Sequence, residues 1–210
     1  MKQLLIWSAI SLALVGCGGG GDAGSQVGSS ASIDKYIGTW QRGCTTDDDD
    51  IRQSSDGAAT HTTLKLDFTK LNSTSANTQL TFTVYANKDR TCQGPAIGSV
   101  VMTGLNTSAE LYGKDGNIST SLGQNVLTFV ETVTLASGEK VDRLTLKTAK
   151  FAGFQGNVTA GAIQVDTRGL GEDNLRGVAL VKADTTLVLD LDDDYPSELT
   201  ADQFTTFSKK

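Results

Sequence analysis

Apolar and polar residues alternate with a period of two along most of the chain after about residue 32. The pattern is clearest in Leu64–Phe68 and Leu80–Val84, where leucine, phenylalanine or valine at every second position alternates with lysine, aspartate or threonine. Because successive side chains of a strand point to opposite faces of a sheet, this period indicates strands with one buried face. No segment carries the 3.6-residue apolar stripe of an amphipathic helix. The pattern predicts a domain that is mostly β.

The same alternation returns in Leu127–Leu135 and Leu144–Thr148, with a turn at Ser137 and Gly138 between them, and predicts a β-hairpin. Shorter strand candidates, each bounded by glycine, asparagine or aspartate, are Ile97–Gly104, Ala109–Tyr112, Asn117–Thr120, Gly161–Asp166, Gly177–Val181 and Thr185–Leu191. Many short strands joined by polar turns are typical of antiparallel sandwiches and barrels.

Two places depart from this pattern. Glu131 stands on the apolar face of Leu127–Leu135, so its carboxylate either lines a cavity or marks a strand edge or a shift of register. The stretch Thr167–Gly177 is rich in glycine and charge, and we expect it to form a surface loop at the rim of a cavity.

The N-terminal segment begins with Lys2 and continues through an apolar run, Leu4–Leu14, that stops shortly before Cys17. A permanent membrane-spanning helix needs about 20 apolar residues, so this run is too short for one. The pattern predicts a signal peptide over residues 1–16. Residues 17–32, rich in glycine and serine, are predicted to form a flexible tether, and residues 33–210 a single domain with its own core.

The residues Leu14, Val15, Gly16 and Cys17 resemble the bacterial lipobox. This resemblance implies that Cys17 carries diacylglycerol and acyl chains such as palmitate, which would anchor the protein in a membrane of the cell envelope. Gly18 stands where an aspartate would favour retention in the inner membrane, so we expect the outer membrane, with the domain facing the periplasm or the cell surface. The alternative is an unrelated cysteine after an ordinary signal peptide.

If Cys17 carries lipid, Cys44 and Cys92 remain as a pair in an oxidising compartment, where disulfides persist. We predict a disulfide between them. Two free thiols or a metal-binding pair are the alternatives. A zinc site needs more ligands than this pair and His61, the chain's one histidine, can supply.

The domain begins with the sequence Tyr-Ile-Gly-Thr-Trp, and its Gly38 and Trp40 resemble the Gly-x-Trp signature of the first strand of lipocalins and related calycin barrels. The end of the chain, Leu187–Phe207, resembles the last hairpin of bacterial lipocalin-like lipoproteins. Tyr85 followed by Cys92–Gly94 is similar to the segment that brings a second cysteine toward the first strand in such lipoproteins.

This resemblance implies an antiparallel β-barrel of about eight to ten strands with Trp40 packed across its closed end. It also implies an interior that holds a small hydrophobic molecule. Arg143 and Arg176 are the candidates for the arginine that packs over the tryptophan in that family.

Charge and reactive residues argue against several functions. The formal net charge of -6 is unlike that of a nucleic-acid-binding protein. The chain contains no Gly-x-Ser-x-Gly motif whose serine His61 could activate as a nucleophile. We therefore expect His61 to be an exposed, hydrogen-bonded histidine. Asp47–Asp50 and Asp190–Asp194 offer oxygen ligands for calcium but lack EF-hand spacing, and are predicted to be a solvated loop and a charged turn. The sequence predicts no catalytic residue, no cofactor and no metal site.

The leading functional hypothesis is therefore a non-catalytic lipoprotein that carries a small apolar ligand in its barrel. Candidates for the cavity wall, which are ordinary core residues in the alternative reading, are Phe68, Phe82, Phe129, Glu131, Leu144 and Leu146. The rival hypothesis is a filled barrel that docks an envelope protein or glycan through its surface, and an enzyme ranks third. Cavity volume discriminates between the first two.

Overall fold

The computed structural model describes residues 32–102, 112–120, 125–147, 157–166, 174–192, 195 and 205–210. The predicted signal peptide, Cys17 and all but the last residue of the predicted tether lie outside the described residues. The elements, in chain order, are a 3₁₀ helix, Ile33–Tyr36, and the strands β1 Gly38–Gln53, β2 Ala59–Lys70, β3 Ser75–Tyr85, β4 Gly98–Met102, β5 Tyr112–Lys114, β6 Asn117–Thr120, β7 Val126–Thr134, β8 Lys140–Lys147, β9 Asn157–Ala160, β10 Ile163–Asp166, β11 Asn174–Lys182, β12 Thr186–Asp192 and β13 Thr205–Lys209.

Eight of these strands close into an antiparallel barrel in the order β1-β2-β3-β7-β8-β11-β12-β13. The barrel closes where β13 pairs with β1, with Trp40 opposite Lys209 and Gln41 opposite Ser208. Each barrel strand therefore has a neighbour on both sides, and no barrel edge is left to pair with another chain. The prediction of an all-β antiparallel barrel is confirmed.

The segments with period-two alternation form strands as predicted. Leu64–Phe68 lies in β2, Leu80–Val84 lies in β3, and the predicted hairpin is formed by β7 and β8. Its turn closes with a hydrogen bond of 2.9 Å from the Gly138 N–H to the Leu135 carbonyl, and Gly138 adopts a φ of 87° that glycine tolerates well.

Strand β1 is longer than the sequence indicated. Asp47–Asp50, predicted to be a solvated loop, continues the strand instead. The pairing of β1 with β2 shifts register between Arg42 and Thr45 and again between Asp47 and Arg52. Such bulges bend a strand, and beyond them β1 pairs with β10 outside the barrel.

Two further differences concern short elements. The predicted loop Thr167–Gly177 ends earlier than expected, because Asn174–Gly177 already belongs to β11 and pairs with β8. Residues 167–173 lie outside the described residues. Strand β9 was not predicted; only its Val158 and Ala160 are buried, which gives a pattern too short to recognise in the sequence.

The long strands β1 and β3 contribute to the two larger of three hydrophobic clusters among the described residues. One core fills the barrel, and its largest fully buried side chains include Trp40, Tyr36 and Ile33. The other lies where the far parts of β1 and β3 meet β4, β6, β9 and β10, and its buried members are Ile51, Val84, Val100, Ile118, Val158, Ala160, Ile163 and Val165. Phe82 packs against both cores.

The predicted disulfide is confirmed. Cys44 in β1 is bonded to Cys92 in the loop after β3, across a separation of 48 residues and with the two Cα atoms 5.6 Å apart. The carboxylate of Asp89 accepts hydrogen bonds from the backbone N–H groups of Gln93 and Gly94, at 3.2 and 2.8 Å. Desolvation raises the pKa of Asp89, but these hydrogen bonds outweigh it and leave that pKa below its ordinary value.

Removing the disulfide with the pair of substitutions Cys44→Ser and Cys92→Ser is expected to lower the free energy of unfolding by about 4 kcal/mol, because the unfolded chain regains the entropy of a long open loop. Chemical denaturation monitored by circular dichroism measures this change. The control is the unmodified protein under reducing conditions, whose unfolding midpoint should match that of the variant. A midpoint that reductant leaves unchanged would contradict a stabilising disulfide.

Candidate functional site: a cavity in the barrel

The barrel interior contains a cavity of about 180 Å³. Its wall is mostly apolar, and the apolar residues are Leu64, Leu66, Phe68, Leu80, Leu127, Leu146, Leu189, Leu191 and Phe207. The polar residues in the wall are Arg42, Thr78 and Thr205. Ligand pockets commonly combine an apolar wall with a few placed polar groups, so this cavity is the candidate site.

Apart from Glu131, the predicted wall residues divide into two groups. Phe68 and Leu146 line the cavity. Phe82, Phe129 and Leu144 belong to the packed barrel core or lie against it and are not among the lining residues. Their positions follow from the strand alternation, which places all of them inside but does not say at which level the interior is hollow.

Glu131 lies outside the cavity. The pairing of β7 with β8 shifts register between Phe129 and Glu131, so Val130 is the extra residue of a bulge and Glu131 pairs with Arg143. The side chain of Glu131 is 52% exposed, and its Oε1 accepts a hydrogen bond of 2.7 Å from Arg143 Nη1. The structure thus corrects the cavity-wall interpretation of Glu131 in favour of the register shift.

The closed end of the barrel is organised around a buried carboxylate. Asp142 in β8 is 1% exposed. Its Oδ2 accepts a hydrogen bond of 2.8 Å from the Tyr36 hydroxyl and lies 2.6 Å from Lys35 Nζ. Its Oδ1 accepts a hydrogen bond of 2.9 Å from the Thr132 hydroxyl. These donors compensate a charge that would be costly to bury alone.

Tyr36 is the central donor of this group. Burial, the negative charge of Asp142 and the hydrogen bond to it together raise the pKa of Tyr36 far above its usual range. The hydroxyl therefore keeps its proton and remains a donor under all ordinary conditions. The 3₁₀ helix that carries it is also held by Asp34, which pairs with Lys70 at 2.5 Å, and by the Ile33 N–H, which donates to Ser73.

Trp40 packs directly beside this group. It is fully buried, and its Nε1 donates a hydrogen bond of 2.7 Å to the Tyr36 carbonyl. The cation over its ring is Lys209, with Nζ 5.1 Å from the ring centroid. Neither predicted arginine takes that place: Arg143 lies over the Tyr195 ring at 5.0 Å, and Arg176 is exposed on β11. A Gly-x-Trp start and a cation over the tryptophan are therefore both present, with lysine in place of arginine.

The polar residues of the cavity wall differ in their surroundings. Arg42 is half-buried, and its Nη2 donates to the Thr62 hydroxyl at 3.3 Å. Thr78 is 1% exposed, and within the described part of the chain its hydroxyl has no hydrogen-bond partner. A buried hydroxyl without a partner is destabilising, and Thr78 is the residue of the cavity wall whose hydroxyl is in this state among the described residues; Asn77 and Thr81, outside the wall, also have such atoms.

His61 is buried, not exposed as predicted. Its Nε2 donates to the Asn87 carbonyl at 3.0 Å, which leaves Nδ1 to accept from the Thr46 hydroxyl at 3.3 Å in the neutral ring. The histidine thus ties β2 to β1 and to the loop after β3. Both of its ring nitrogens are used in this structural role.

The described residues contain no group of three or more His, Cys, Asp or Glu side chains placed to hold a metal ion. Of the predicted aspartate clusters, Asp190 is buried in β12, whereas Asp193 and Asp194 lie outside the described residues, as do the side chains of residues 47–49. Among the described elements no helix has the length and apolar character needed to span a bilayer.

Comparison with known proteins gives no match. No family model matches the chain, and neither a curated protein nor a solved structure does so. The site is therefore interpreted from its own geometry.

Three polar residues of the barrel interior were not predicted, although their spacing within the strands places them on the inward face. Asp142 shares the inward parity of Leu144 and Leu146, and Thr78 shares that of Leu80, although neither residue was singled out. Arg42 likewise follows Trp40 at the inward spacing of β1. A polar residue in phase with an apolar face was noted only for Glu131, where a bulge in β7 reverses the phase.

The Asp142 group is expected to contribute strongly to stability. Asp142→Asn should lower the free energy of unfolding by about 3 kcal/mol, because Lys35 loses its ionic partner. Tyr36→Phe should lower it by about 2 kcal/mol, because a hydrogen bond to a charged group is lost. The double variant should lose less than the sum, since both changes remove the same bond.

Denaturation curves of the two single variants and the double variant give this comparison. Tyr85→Phe, on the outward face of β3, is the matched control and should change stability by no more than about 0.5 kcal/mol. Strict additivity of the Tyr36 and Asp142 effects would contradict a direct interaction between the two side chains.

Proposed function

We propose that this protein is a lipid-anchored envelope protein that binds a small ligand in its barrel without transforming it. The observation that carries the proposal is the cavity, with its apolar wall and its few polar groups. An eight-stranded barrel is wide enough to hold one small molecule. The carrier hypothesis is favoured over a filled docking barrel because the interior is not packed throughout.

The cavity volume sets the size class of the ligand. At about 180 Å³ it is smaller than the roughly 300–1,000 Å³ of pockets for drug-sized molecules. It is close to an engineered apolar cavity of about 150 Å³ that binds benzene in another protein. The proposal is therefore a molecule of roughly seven or eight non-hydrogen atoms, not a long lipid.

The anchoring part of the proposal rests on the lipobox-like residues before Cys17. The disulfide between Cys44 and Cys92 supports it, because such bonds persist in exported proteins and are rare in the cytosol. On this proposal the tether of residues 17–32 links the acylated Cys17 to the barrel at the outer membrane.

Cys17→Ser is expected to abolish lipid attachment and to release the protein from the membrane fraction. Metabolic labelling with a palmitate analogue in a bacterial host, followed by fractionation, measures both effects. The double substitution of Cys44 and Cys92 by serine is the control and should retain the label. Labelling that persists without Cys17 would contradict this assignment.

Filling the cavity is expected to abolish ligand binding. Leu80→Trp places a larger side chain in the wall, whereas Leu71→Trp makes the same change at a position that is 48% exposed in the turn between β2 and β3. Circular dichroism would establish that both variants are folded. Ligand-observed NMR with benzene, on the full chain in lipid nanodiscs, should show binding to the unmodified protein and to Leu71→Trp, but none to Leu80→Trp.

Native mass spectrometry of the same three proteins, purified from bacterial membranes, should show a bound small molecule on the unmodified protein and on Leu71→Trp. It should show none on Leu80→Trp. If neither benzene nor a purified ligand depends on position 80, the carrier proposal fails and the docking hypothesis takes its place.

A further inference from the structure

The turn between β2 and β3 carries an exposed apolar side chain at the closed end of the barrel. β2 ends just beyond Phe68, which pairs with Gly38 at the start of β1, so this turn lies at the end that Trp40 closes. Leu71 is the first residue of the turn, and its N–H donates to the Ser75 carbonyl at 2.9 Å. The residue is 48% exposed, although turns favour polar residues.

A second exposed apolar side chain lies on the strand beside this turn. β3 pairs with β7 through Ser75 and Thr128, and the Phe129 N–H donates to the Thr74 carbonyl at 2.8 Å. Val130, the extra residue of the β7 bulge, therefore lies next to the same turn, and it is also 48% exposed. Two exposed large apolar side chains at one end of the described structure indicate a contact surface.

The same turn also holds the start of the domain. The Ile33 N–H donates to the Ser73 carbonyl at 3.2 Å, and the Ser32 side chain accepts a hydrogen bond of 3.1 Å from the Asp34 N–H. Residue 32 thus lies at the end that carries the two apolar side chains. On the proposed anchoring, the chain from Cys17 to this point spans at most about 50 Å. A bilayer held so near can be contacted by a surface too weak to bind it alone.

Lysine side chains flank the apolar pair without giving this end a strong charge. Lys70 directly precedes Leu71 and pairs with Asp34, whereas Lys35 pairs with the buried Asp142. Both lysines are partly exposed, and such long side chains can keep their ammonium groups among phosphates while apolar neighbours lie deeper. Because each lysine has a carboxylate partner, apolar contact is expected to dominate over attraction to an anionic surface.

We propose that Leu71 and Val130 insert into the boundary between head groups and acyl chains of the bilayer that holds the lipid anchor. The closed end of the barrel then faces the membrane, and the turn between β1 and β2 points away from it. This inference rests on the anchoring part of the proposed function and adds the orientation of the barrel. The driving force is the removal of exposed apolar surface from water.

The test measures how close individual methyl groups lie to the lipid. The full chain, purified from bacterial membranes with its leucine and valine methyl groups labelled, is placed as a single protein per nanodisc of phosphatidylethanolamine and phosphatidylglycerol. A nitroxide near the head-group end of one acyl chain increases the NMR relaxation rate of nearby methyl groups. Val101 in β4 is the internal reference, because it pairs with Thr81, about 20 Å along β3 from Ser75.

The methyl groups of Leu71 and Val130 are expected to show at least about fivefold greater paramagnetic relaxation than those of Val101, because interfacial side chains lie about 5–10 Å deep. This difference should persist in about 0.5 M salt, which screens attraction between exposed charges.

The double substitution Leu71→Gln and Val130→Thr removes apolar character at two exposed positions with little change of shape. Leu135, next to the hairpin turn at the same end, supplies the methyl signal in this variant. Its paramagnetic relaxation is expected to fall at least about threefold, because the barrel end no longer inserts. Val126→Thr makes the same change at the other end of β7 and is the matched control, which should leave the relaxation of Leu135 unchanged.

Three results overturn the inference. Equal relaxation at Leu71, Val130 and Val101, in a protein that stays on the nanodisc, shows an anchored domain that does not dock by this end and leaves the anchoring intact. Loss of the difference at high salt shows an electrostatic contact instead of apolar insertion. If the protein is not retained on the nanodisc, the anchoring itself fails, and the inference fails with it.

Discussion

The hydrogen bond between the Tyr36 hydroxyl and the buried Asp142 carboxylate joins the start of the domain to the middle of the barrel sheet. The two residues are 106 positions apart in the chain. A charged group with so little exposure requires several donors, and Lys35 and Thr132 supply the others. Because each donor is directional, the network fixes where the 3₁₀ helix sits as well as how strongly it is held.

The position of that helix determines the floor of the cavity. The Tyr36 carbonyl accepts the hydrogen bond from Trp40, and this places the largest side chain of the core at the closed end. Arg42 is the next inward residue of β1, so it enters the wall of the cavity directly after Trp40. Beyond Arg42 the register of β1 shifts, and the strand leaves the barrel to join the second core. The hollow part of the barrel thus lies between a fixed floor and a strand that bends away.

Local patterns in the sequence were sufficient to predict the main strands, because alternation within Leu64–Phe68 or Leu80–Val84 depends only on which face of a strand is buried. The choice of a barrel over a sandwich came from the resemblance at Gly38 and Trp40. Features that depend on a partner strand could not be predicted in this way. The bulge at Val130 moves Glu131 outward, and only the pairing with β8 shows it. The aspartates after Cys44 favour a loop by composition, yet pairing extends β1 through them. The cavity itself depends on which inward side chains meet across the barrel, and sequence parity places Phe82 and Leu146 equally inside although only Leu146 lines the space.

An eight-stranded barrel lies at the size where side chains can either fill the interior or leave room for one small molecule, so a few residues decide the outcome. Valine at position 78 would have nearly the shape of threonine without a buried hydroxyl that lacks a partner within the described residues. The threonine hydroxyl therefore works against the stability of an empty barrel. A ligand or water oxygen in the cavity would complete its hydrogen bonding, and this supports the proposed carrier function.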